Sequence, residues 1–168
     1  MIKVYQTIVD RGHGNCMQAA MASLFHKPLE EVPHFLEFKD HWFSEMRKFL
    51  HANNYDYEGM LHNKNYSIIC TPTYHCFNKS KYHKPSIITK KKLYNEPGVN
   101  GYFFASVLSP KYFNWGSGFT ATHAVIIDRD YNVVHDVNPG YKDIIMYPLA
   151  ELLKYNGLID VYLINPKT

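Results

Sequence analysis

Thr122-His123-Ala124-Val125-Ile126-Ile127-Asp128, the turn Asp130-Tyr131-Asn132, and then Val133-Val134-His135-Asp136 decide the fold. Two short runs rich in β-branched residues, joined by a tight polar turn, predict an antiparallel hairpin. His123 stands near the start of the first strand and Asp136 at the end of the second. A hairpin brings those two positions together at its open end. There Asp136 can orient the imidazole and support its charged form. Asp128 and Asp130 belong to the turn at the far end, and Asn138, just past Asp136, is the alternative orienting residue.

Outward from this hairpin, further strands are expected over 101–108, 144–147 and 158–164, the last closing the sheet, and a short helix over 148–155. The front of the chain reads differently. A short strand is expected over 3–8, then a turn-rich stretch, Asp10-Arg11-Gly12-His13-Gly14-Asn15. Asn15 suits an N-cap. Cys16-Met17-Gln18-Ala19-Ala20-Met21-Ala22-Ser23-Leu24-Phe25 reads as a helix of small and unbranched residues that can pack close to a flat surface. A second helix over 41–52 has Trp42, Phe43, Met46, Phe49 and Leu50 on one apolar face. Between 55 and 70 the pattern is short strands and turns. A helical front and an antiparallel back give the α+β class.

The whole chain, 168 residues, fits one domain, with 46% apolar and 20% charged residues. Residues 77–100 carry Lys79, Lys81, Lys84, Lys90, Lys91 and Lys92 and read as an exposed basic excursion, with one strand over 86–89. Lys90, Lys91 and Lys92 could meet an acidic partner, but a solvated loop is the favoured reading. A formal charge of +3 does not argue for nucleic-acid binding. No apolar run approaches the ~18 residues of a membrane span, and the first residues do not read as a signal peptide. Three cysteines make no disulfide framework, so a reducing, cytoplasmic setting is expected. Cys70, His75, Cys76 and His83 invite a zinc reading, but their spacing is not that of a zinc knuckle, and no metal is expected.

Cys16 opens its helix. A helix start offers unpaired N–H groups and a positive dipole end, which favour a thiolate and can hold an oxyanion. Gln6, upstream, could complete that hole with its side-chain amide. Asn15 and Thr122, beside the two key residues, are expected to contact substrate. A buried thiol and a structural histidine are the plain alternatives for Cys16 and His123.

Tyr5-Gln6-Thr7, the block from Gly14 to Phe25, and Pro28 to Phe35 resemble the first signature of phage and bacterial papain-fold proteins similar to C39-type (C39-like) cysteine peptidases. Thr122 to Ile126 and Val134-His135-Asp136-Val137-Asn138-Pro139 resemble the second. The resemblance implies Cys16 as nucleophile, His123 as base, Asp136 as orienting residue and Gln6 in the oxyanion hole. It also implies a papain-like cysteine peptidase fold, a peptide or protein substrate, no cofactor, and a phage protein working in the host cytoplasm. The expected activity is a cysteine-dependent hydrolase or acyltransferase on an amide, isopeptide or thioester bond. The alternative is an inactive binding module of the same fold that blocks a host protein or nucleotide signal.

Overall fold

The computed structural model describes residues 1–9, 14–62, 86–87, 92–108, 122–141 and 158–168. The expected strand at 144–147, the helix at 148–155, the Cys70/His75/Cys76/His83 cluster and Lys90 and Lys91 lie outside them. The class is α+β. Among the described residues, two α-helices, α1 (Cys16–Leu24) and α2 (Trp42–Ala52), accompany six strands. These are β1 (Tyr55–His62), β2 (Ser86–Ile87), β3 (Phe103–Leu108), β4 (Thr122–Ile127), β5 (Val133–Asp136) and β6 (Leu158–Pro166). They form one sheet in the order β2-β1-β6-β3-β4-β5. All pairings are antiparallel except the two-residue β1–β2 pairing.

The sheet is buried on both faces. Ala19, Ala20 and Ala22 of α1 have no exposed surface, and their small size lets the helix sit close on β3 and β4. Met21, Met46, Leu50, Phe104, Ile126, Tyr162 and Ile164 complete that core. Each large side chain so buried contributes about 1.5–3 kcal/mol. The opposite face gathers Leu93, Phe103, Val107, Val125, Ile127, Tyr131 and Val161.

The central hairpin forms as expected. Its turn is tied by Asp128, whose Oδ1 accepts the N–H groups of Asp130 and Asn132. Three expectations need correction. Residues 3–8 form no strand: Gln6 N–H donates to Val137 O, Ile8 O accepts from Asn15 N–H, and the segment otherwise leans on the side chains of Ser23, Asn15 and His135. Segment 158–166 does not close the sheet but lies inside it, between β1 and β3, because β1 is one long strand that pairs along its length. The end of the basic excursion is exposed only in part, at Tyr94, Asn95, Pro97 and Asn100. Leu93 and Val99 are buried, and Gly98, at φ +60, sits so close to Tyr102 O (2.7 Å from an added Cβ) that only glycine fits.

Candidate active site

Cys16 is the first residue of α1 and is partly exposed. His123, on β4, is buried. Asp136 faces Val125 across the β4–β5 ladder, which makes it a diagonal neighbour of His123. Nε2 of His123 lies 2.6 Å from Oδ1 of Asp136. The ring also hydrogen-bonds Cys16, and with Nε2 engaged, Nδ1 is the nitrogen left for the sulfur. Asn138 does not take the orienting place. Its N–H donates to Asp136 Oδ1 and its own Oδ1 accepts from Gly140, so it locks the carboxylate from behind. Asp128 and Asp130 stay at the far turn.

This geometry favours charge separation. Burial alone would push the Cys16 thiol up. The hydrogen bond and charge of His123 oppose it, with the N–H groups of Ala124 and Met17, and the thiol lies below its ordinary range. Burial would lower His123. Its bonds to Asp136 and Cys16 outweigh that and push it up to about 9. Thiolate and imidazolium therefore stabilise each other near neutral pH.

The remaining expected residues have mixed placements. Asn15 occupies the N-cap position, but its side chain makes no capping bond. It is buried, with Oδ1 accepting from Thr7 and Ile8 and Nδ2 donating to Thr7 and Gln18. Its side chain thus ties residues 7, 8 and 18 together inside the protein. Thr122 is half-buried beside His123. Gln6 is buried, its N–H donating to Val137 O, one residue past Asp136. Its Oε1 has no hydrogen-bond partner among the described residues. Residues 6–8 thus bridge the end of β5 and the residue before Cys16.

Two contributors escaped sequence reasoning. His135, buried, bonds Val4 O at 2.8 Å and fixes the N-terminal segment. His62 and Asp160 form a second pair, Nδ1 to Oδ1, at 2.6 Å. Neither has a local signal, since the partners lie 131 and 98 residues away. The chain matches no family model, no curated protein and no solved structure.

Proposed function

We propose that the protein is a cysteine-dependent hydrolase or acyltransferase of papain-like architecture, acting on an amide, isopeptide or thioester carbonyl. The observation that carries this reading is a thiol at a helix start sharing a hydrogen bond with a carboxylate-held imidazole. The Cys16 thiolate adds to the carbonyl carbon, and the electron pair moves to oxygen. The Cys16 backbone N–H and the Gln6 side-chain amide hold that oxyanion. The tetrahedral adduct collapses, His123 gives its proton to the leaving group, and an acyl-thioester remains. The neutral ring then takes a proton from water, or from an acceptor amine or thiol, as it attacks. Collapse releases the acyl product and restores the thiolate–imidazolium pair. Asp136 holds the ring throughout. The residues need no cofactor for these steps, and a peptide or protein supplies the acyl group.

The test is the iodoacetamide alkylation rate of Cys16 against pH, read by peptide mass spectrometry to separate it from Cys70 and Cys76. Labelling is expected well below the ordinary thiol pKa of about 8.5. In His123→Ala the rate at pH 6.5 should drop about 100-fold, because the thiolate fraction returns to that of a free thiol. A wild-type profile that simply follows the ordinary thiol pKa would overturn the catalytic reading. It would leave a binding module on the same fold.

A further inference from the structure

One row of residues crosses the sheet at the end where β1 and β3 finish and β4 and β6 begin. His62 on β1 is opposite Asp160 on β6, Asp160 is opposite Ser106 on β3, and Ser106 is opposite Ala124 on β4. Directly opposite residues point to the same face. Ala124 packs in the core shared with α1, so the row faces the helical side. The N–H of Ala124 also helps to lower the Cys16 thiol pKa, so it lies close to the sulfur. The row therefore starts at the nucleophile and runs two strand spacings, about 10 Å, to Asp160.

Asp160 is 1% exposed. Its Oδ1 takes the His62 ring, but its Oδ2 is buried with no hydrogen-bond partner among the described residues. A bridge between β1 and β6 would need only one oxygen. A buried carboxylate oxygen left empty is costly, and a donor that arrives with a ligand would relieve that cost. The hydroxyl of Tyr57, on the same face, is pushed up to about 12, first by burial and then by the charge of Asp160, so that negative charge is felt across the face.

We propose that Asp160 is the floor of a specificity pocket for a long cationic side chain, lysine or arginine, on the residue that supplies the scissile carbonyl. This rests on Cys16 being the attacking atom. An acylated Cys16 places the substrate Cα within a few bonds of the sulfur. A lysine side chain extends about 6 Å from there, along the row toward Asp160. Ser106, buried between them, offers a hydroxyl along the wall. The ammonium would donate to Oδ2 in a charge-assisted bond.

Alkylation by N-acetyl-lysyl and N-acetyl-norleucyl chloromethyl ketones tests this at pH 9, where lysine keeps its charge and any thiol is largely ionised. The rate ratio on one sulfur reads the pocket, whether or not Cys16 is activated, and activation is read separately by iodoacetamide. The lysyl probe should react at least about 10-fold faster, the equivalent of one charge-assisted bond. Shortening the probe to the ornithyl and diaminobutyryl forms should erase the preference stepwise. In Asp160→Asn the ratio should fall to near 1. Equal rates for the lysyl and norleucyl probes in the wild type would overturn the proposal. So would no dependence on chain length, or a preference that survives in Asp160→Asn. The chain-length series uses the wild type alone, so the test stands even if that variant fails to fold.

Discussion

Among the described residues, His123–Asp136 and His62–Asp160 are aspartate–histidine pairs of the same length, 2.6 Å, built on the same sheet. In one, Asp136 is 21% exposed, receives a backbone N–H from Asn138, and grips Nε2 of a ring whose other side meets a thiol. In the other, Asp160 is 1% exposed, has one oxygen without a hydrogen-bond partner among the described residues, and grips Nδ1 of His62. The first pair is supported on every side, and its charge is passed on to Cys16. The second is supported on one side, and its charge is left for something else to meet. Identical residue types at identical distance thus acquire different roles from their surroundings.

Breaking the first pair should have the largest effect. Asp136→Asn keeps the shape and removes the charge that holds His123 protonated. In the wild type, hydrolysis of an N-acyl p-nitroanilide should fall on the acid side as the thiolate takes a proton, below the usual thiol range. It should fall again at about 9, where His123 loses the proton needed by the leaving group. In Asp136→Asn the alkaline limb should move down toward the ordinary histidine value of about 6.5, and turnover at pH 8 should drop about 100-fold or more. An alkaline limb that stays at about 9 would mean that Asp136 does not sustain the imidazolium.

Breaking the second pair should show in stability. His62→Ala leaves the Asp160 carboxylate buried with neither oxygen paired, which costs about 3 kcal/mol in urea unfolding at pH 7. His123→Ala leaves Asp136 with solvent and Asn138, and should cost less than about 1.5 kcal/mol. Burial raises the Asp160 pKa, so the folded state takes up that proton more readily than the unfolded chain. The His62→Ala deficit should therefore shrink as pH falls toward the carboxyl range. Equal costs for the two variants would erase the proposed contrast between them.

The first pair was readable in the sequence, and the second was not, for a physical reason. His123 and Asp136 are 13 residues apart in a hairpin whose turn and strand residues are all local. Cys16 could be placed because a helix start carries its own signal. Gln6 stands out in the sequence, but its expected strand does not form: the segment is held by Asn15 close by and by Ser23 and His135, 19 and 131 residues from Val4. The β1–β6 pairing joins the middle of the chain to its end, and no local pattern marks His62 as the partner of Asp160. The burial of Leu93 and Val99 was hidden by the lysines before them, which dominate the composition of that stretch.

Asn15 and His135 hold that N-terminal segment, which carries Gln6 to the first pair. Asn15→Ala would leave the N–H groups of Thr7 and Ile8 without their acceptor. It should lower stability by about 2 kcal/mol and speed amide exchange at those two positions. Unchanged exchange there would detach Asn15 from the support of Gln6.

His135 should give the smallest effect, and one with a definite sign. Its buried ring bonds Val4 O and stands edge-on to Tyr5, with ring centroids 5.1 Å apart. Burial lowers its pKa; the bond to Val4 opposes this in part, the charge of Lys3 lowers it further, and Asp136 opposes it least. The unfolded ring takes a proton near 6.5, while the folded ring resists until lower pH. In that interval the unfolded state binds more protons, so stability falls as pH drops below about 6.5. His135→Gln keeps a side-chain N–H for Val4 but cannot titrate. Between pH 7 and pH 5 the wild type should lose about 0.5–1 kcal/mol more than this variant in urea unfolding. The same interval should loosen amides near Val4 and Gln6 in the wild type but not in the variant. Parallel pH profiles for the two proteins would mean that His135 stays neutral in both states, leaving the N-terminal segment equally firm across the range in which the Cys16–His123 pair works.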